Sequence, residues 1–158
     1  KILSKVEPYT GDIIKDVHYT VCLCRDFKLI QQAYTLLREN IINYACKKAG
    51  FDIWPIKDIS NDKNPDQKCS LRQVIDSVLG SFCHEESINK LTDSEKQIRK
   101  KLKPFISKEL SDLYRNIGDF RNDLDHGGYR QCPKEYKMFI NKLDEFIEKS
   151  AILLNIKC

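Results

Sequence analysis

The sequence predicts an all-α fold, a bundle of five or six helices. Three observations lead there. Apolar residues recur at helical spacing along most of the 158 residues, glycine and proline number only 6 and 5, and helix-start signals stand in front of several apolar stripes. Few glycines and prolines mean few tight turns, which argues against a loop-rich or all-β chain. The apolar fraction of 41% is enough for a core, and 32% charged residues keep the outer faces solvated.

Ile13, Ile14, Val17, Val21 and Cys24 mark a short helix over residues 10–24, although His18 to Cys24 also has strand-like composition. Asp26 reads as the N-cap of a strong helix that ends near Gly50, with Phe27, Ile30, Tyr34, Leu37, Ile41 and Tyr44 as its stripe. Residues 51–69 are expected to be irregular: Trp54-Pro55 and Asn64-Pro65 break regular structure, and Asn61-Asp62-Lys63 is turn-like. No strand is expected.

Ser70-Leu71-Arg72-Gln73 is a capping box, and Leu71, Val74, Ile75, Val78, Leu79 and Phe82 follow on one face. Thr92-Asp93-Ser94-Glu95 is a second box, opening a basic helix that stops near Pro104. From about Ser107, the residues Leu110, Leu113, Tyr114, Ile117 and Phe120 predict another amphipathic helix. Pro133 suits the first turn of a last helix, with Tyr136, Phe139, Ile140, Leu143, Phe146 and Ile147 as its buried stripe.

The net charge of +4 and a pI near 8.6 are mildly basic, which permits a nucleic-acid partner without requiring one. No apolar run approaches the ~18 residues of a membrane span, so no membrane association is expected. Seven cysteines (Cys22, Cys24, Cys46, Cys69, Cys83, Cys132 and Cys158) form an odd set with no C-x-x-C, as expected for idle thiols in a reducing cytoplasm. Zinc needs closely spaced ligand pairs, which Cys22-x-Cys24 and Cys83-His84 do not supply. The chain begins at Lys1 rather than methionine, which leaves room for a preceding domain.

The chemistry concentrates in one stretch. Arg121, Asn122, Asp123, Asp125 and His126 fall within six residues at a helix end, followed by Gly127-Gly128, Tyr129 and Arg130. RNA carries its own nucleophile, the 2′-OH. Its cleavage needs a proton-transfer group that titrates near neutrality, for which histidine is suited, and a fixed cation on the phosphate oxygens, for which the arginine fork is suited. Asn122 adds an orienting group without charge. Such a site needs no metal or other cofactor. On one helix Asn122 and His126 share a face, whereas Arg121 and His126 lie roughly 140° apart. Two copies meeting across a two-fold axis ease that mismatch. The alternative reading is structural: a histidine capping a helix end, and Asp123 and Asp125 paired with Arg121 and Arg130 in a solvated ion network.

Tyr114-Arg115-Asn116-Ile117-Gly118-Asp119-Phe120-Arg121-Asn122-Asp123-Leu124-Asp125-His126-Gly127-Gly128-Tyr129-Arg130 resembles the R-x(4–6)-H region of HEPN ribonuclease domains. The whole string also resembles the C-terminal effector domain of CARF–HEPN proteins, the ancillary antiviral ribonucleases of type III CRISPR systems. Tyr34 to Glu39 is similar to the early helix of those domains. The resemblance spans roughly residues 20–155.

It implies a homodimer with facing motifs and metal-independent endoribonuclease cleavage of single-stranded RNA, leaving a 2′,3′-cyclic phosphate. His126 would be the acid/base or positioning group, Arg121 the phosphate clamp and Asn122 an orienting group. Asp123, Tyr129 and Arg130 are further candidate substrate contacts. An N-terminal CARF sensor binding cyclic oligoadenylate would control activity. Residues 1–24 would form a linker or N-terminal helix before a HEPN domain at 25–158.

Two alternatives stand beside this. HEPN toxins paired with a nucleotidyltransferase antitoxin carry R-x4-H-x-Tyr, from which His126-Gly-Gly-Tyr129 departs by one residue. The other is a non-catalytic helical dimerisation or binding module. Lys96, Arg99, Lys100, Lys101 and Lys103 offer phosphate contacts or a solvated face. Arg38-Glu39 suits either a buttress for the site or an exposed pair, Cys83-His84 cannot face each other on a helix, and His18 has no evident partner.

Overall fold

The computed structural model describes residues 9–53, 58–61, 64–126 and 135–156. The fold is all-α apart from one small hairpin. Among the described residues the α-helices are α1 (Ile13–Asp26), α2 (Ile30–Lys48), α3 (Leu71–Gly80), α4 (Asp93–Leu102), α5 (Lys108–Asp125) and α6 (Tyr136–Leu153), and a 3-10 helix covers Glu85–Lys90. Strands β1 (Asp58–Asn61) and β2 (Asn64–Ser70) pair antiparallel, with Asp58 opposite Ser70 and Asn61 opposite Asn64.

That hairpin corrects the expectation of an irregular, strand-free stretch. The segment is polar and lacks the β-branched alternation that marks strands, so its sequence signal is weak. Pro65 does not prevent pairing, because both members of a two-stranded sheet are edges.

The break between the first two helices also differs from expectation. Asp26 closes α1 and takes a 3.0 Å hydrogen bond from Arg25 Nε, so it is not the cap of α2. Lys28 turns the chain at φ 59°, and the Leu29 amide reaches back 2.8 Å to the Cys24 carbonyl. Phe27, expected in the apolar stripe, is 64% exposed in this connector. The rest of that stripe, from Ile30 through Tyr34, Leu37, Ile41 and Tyr44, is buried. Gly50, at φ 75°, ends α2 as expected, with Phe51 N bonded to Cys46 O at 3.0 Å.

Both capping boxes form. Ser70 and Gln73 exchange side-chain and backbone bonds, as do Thr92 and Glu95. The last helix starts at Tyr136, after an extended Glu135; Pro133 lies outside the described residues. Tyr136 is exposed rather than buried.

The chain divides into two compact units. The first comprises residues 1–41 and 115–158, and the second residues 42–114. In the second unit, Ser111 Oγ donates to the Leu79 carbonyl (2.7 Å), Arg72 Nη1 to Asn43 Oδ1 (2.7 Å) and the Tyr114 hydroxyl to Asp76. The basic run of α4 spends part of its charge within this unit. Arg99 donates to Ser81 Oγ at 3.1 Å and lies over the Phe82 ring, and Lys96 pairs with Asp93 at 3.3 Å.

In the first unit, α1 is a continuous helix through residue 24 and joins α6 through a 2.7 Å bond from Arg25 Nη1 to Asp144 Oδ1. Asn40 Nδ2 ties α2 to the Ile14 carbonyl at 2.9 Å. Behind the end of α5 lies an aromatic cluster. Tyr34, fully buried, stacks on Phe120 (5.9 Å) and meets Phe139 and Phe146 edge-on, while its hydroxyl donates to the Phe139 carbonyl at 2.8 Å. Phe120 makes its own edge contacts with Phe139 and Phe146, at 5.6 and 5.5 Å. Such ring pairs add to their burial and fix orientation.

Candidate active site

The site is the last turn of α5. Phe120, locked in the aromatic cluster, sets how that turn is rotated. Asp123 lies on the inward side and is 3% exposed, whereas Asn122, Asp125 and His126 are exposed and Arg121 is half-buried. Asp123, an expected substrate contact, therefore occupies a place suited to supporting the helix. Its short acidic side chain is withdrawn from solvent because its position shares the core-facing arc of the helix.

The exposed groups fall on two adjacent faces. Arg121 and Asp125, four residues apart, form one. Arg121 Nε donates to Asp125 Oδ2 at 3.0 Å, so the ion pair expected on structural grounds exists. Asn122 and His126 form the next face, about 100° around the axis. Helical hydrogen bonding persists to the end of the motif: α5 runs to Asp125, and the His126 amide still bonds the Asn122 carbonyl at 3.0 Å. The helix therefore does not unwind early enough to swing His126 round to Arg121.

Asp125 is also bound from outside its helix. Gln31 Nε2, at the start of α2, donates to Asp125 Oδ1 at 2.8 Å. The Gln31 hydrogen bond, then that of Arg121, holds the carboxyl below its ordinary range, and the charges of Arg121 and His126 act in the same direction. Asp125 thus remains an anion that aims the guanidinium through Nε. The two terminal nitrogens of Arg121 make no hydrogen bond among the described residues. In an arginine fork such a pair can hold two phosphate or carboxylate oxygens side by side. Nearby, Arg38 lies over the same helix: a methyl on Gly118 would stand 3.6 Å from its Nε.

Gln31 was not legible as a site residue. It is 94 positions from Asp125, and no spacing rule links them. It also lines an open, mainly apolar groove of about 450 Å³ with Cys24, Gln32, Thr35 and Leu36. Burial pushes the Cys24 thiol up, so at neutral pH it lines the groove as a protonated, weakly polar group. Tyr129 and Arg130 lie outside the described residues.

Among the described residues, Cys22, Cys24, Cys46 and Cys83 form no disulfide; Cys83 Sγ lies 2.9 Å from Ser111 Oγ. Among the described residues, no helix is long and apolar enough to cross a membrane, and no three His, Cys, Asp or Glu side chains are grouped as metal ligands.

Comparison with protein-family models, curated proteins and solved structures yields no match to this chain. The chemistry of Arg121, Asn122 and His126 must therefore carry the functional reading on its own residues and on the motif they resemble.

Proposed function

We propose that this chain is a metal-independent endoribonuclease that cleaves single-stranded RNA at a site shared by two copies. The observation that carries this reading is the arrangement on α5. Arg121 is held by Asp125, its terminal nitrogens make no hydrogen bond among the described residues, and Asn122 and His126 are exposed one face away. In the proposed step the substrate 2′-OH attacks the adjacent phosphorus and the P–O5′ bond breaks. The products are a 2′,3′-cyclic phosphate and a 5′-OH. His126 transfers the proton at the attacking or leaving oxygen, and Arg121 balances charge on the non-bridging oxygens. Asn122 orients the histidine or the phosphate. Because Arg121 and His126 point roughly 140° apart, each phosphate would meet Arg121 of one copy and His126 of the other.

By resemblance to CARF–HEPN effectors, the domain would act in the cytoplasm in antiviral defence, under a sensor domain that binds cyclic oligoadenylate. The second reading, a helical binding or dimerisation module, is favoured by the Arg121–Asp125 pair, which is satisfied without substrate.

The experiment is cleavage of a labelled single-stranded RNA in EDTA at high protein concentration. Wild type is expected to yield cyclic-phosphate ends, and His126→Ala to lose roughly 10²–10⁴-fold in rate, the usual worth of one acid–base group. Activity that survives the substitution, or that requires a divalent metal, overturns the mechanism.

A further inference from the structure

The groove between the end of α1 and the start of α2 is not used by the chemistry above, yet one of its residues is. Gln31 lines the groove and donates to Asp125, which in turn holds Arg121. A nucleotide whose phosphate sits on Arg121 therefore has the groove as the neighbouring surface within reach of its base. We infer that this groove, lined by Cys24, Gln31, Gln32, Thr35 and Leu36, is a subsite for a nucleobase of the bound RNA and sets base preference. The inference rests on the ribonuclease reading for the identity of its ligand.

The lining suits a base better than a phosphate. Among the described residues it contains no charged group, so it lacks the cation that would favour a phosphate over a neutral ring. Its volume of about 450 Å³ falls within the ~300–1,000 Å³ of small-ligand sites, which are mainly apolar with a few placed polar groups. Leu36 and Cys24 supply surface for the face of a flat ring. Two amides and a hydroxyl supply neutral donors and acceptors for its edge, and glutamine can meet a base with a donor and an acceptor at once. Gln31 has its nitrogen on Asp125, and its Oε1 makes no hydrogen bond among the described residues. Unstacked bases of single-stranded RNA are recognised on such combinations of ring surface and edge contacts.

The test separates base reading from cleavage. Binding of 5′-labelled decamers differing only in base is measured by fluorescence anisotropy on the cleavage-deficient His126→Ala chain, then on the same chain carrying Gln32→Leu, Thr35→Val or Leu36→Trp. The expected result is a preference for one base of about tenfold, reduced severalfold or more toward parity by each added substitution. Thermal midpoints and light-scattering masses check that each variant keeps its fold and assembly.

Equal affinity for all four bases overturns the inference. So does a preference that all three folded variants retain. A Leu36→Trp chain that changes mass while keeping its base ratio also overturns it, and makes the groove a contact between protein chains. Base-dependent binding without any cleavage by wild type sinks the ribonuclease reading while the subsite stands.

Discussion

At the scale of single residues, the proposed role of Arg121 depends on its shape as much as its charge. Its fork is anchored at one corner by Asp125 and, among the described residues, makes no hydrogen bond at the other two, an arrangement that a lysine ammonium cannot reproduce. Arg121→Lys should therefore lower kcat/KM for RNA by roughly tenfold or more, the worth of one charge-assisted hydrogen bond, although net charge is unchanged. Equal rates for the two proteins would show that only a point charge is needed.

His18 makes a different kind of claim. It is 2% exposed, its Nδ1 lacks a hydrogen-bond partner among the described residues, and burial lowers its pKa below 6.5. The folded chain prefers the neutral ring, while the unfolded chain takes up a proton near pH 6.5. Stability should thus fall as pH drops below about 6.5 and level off once the pH passes the lower folded value. Urea midpoints between about pH 7.5 and pH 5 should decline less in His18→Gln than in wild type. A parallel decline would assign the loss to other groups.

At the scale of elements, the turn between α1 and α2 stores a local cost. Lys28 occupies the left-handed region at φ 59°, where a side chain is disfavoured and glycine is not. Lys28→Gly should stabilise the protein by about 0.5–1 kcal/mol, net of the greater freedom of glycine in the unfolded chain. A thermal midpoint raised by roughly 1–4 °C is the expected reading. A lowered midpoint would mean that the lysine stem contributes packing that outweighs its backbone cost. The same turn explains why α2 starts later than its cap chemistry suggests: Asp26 is a good cap residue by type, but a helix ends there because the chain reverses at Lys28. Where the cap chemistry was complete, at Ser70/Gln73 and Thr92/Glu95, sequence and structure agree.

At the scale of the whole molecule, the proposed site demands two chains. Mixing inactive Arg121→Ala and His126→Ala chains is a direct check. Random pairing makes half of the dimers mixed, and each mixed dimer has one intact Arg–His combination, so activity should return to about a quarter of wild type. No recovery, with mixed dimers demonstrated by mass, would place both groups of each site in one chain. The continued helical register through His126 is the reason for expecting recovery.

The helices and the candidate chemistry follow from local patterning alone. Helical periodicity needs only local spacing, so the stripes through Tyr34, Leu37, Ile75 and Leu143 could be read directly and are buried. Arg121, Asn122 and His126 could be found because one helix end carries them all within six residues. Their support could not be found this way. The Tyr34–Phe120 stack, the burial of Asp123 and the Gln31 bond to Asp125 depend on which side of α5 packs inward and on what α2 brings beside it. Those contacts join residues about 90 positions apart, and only the folded chain sets them.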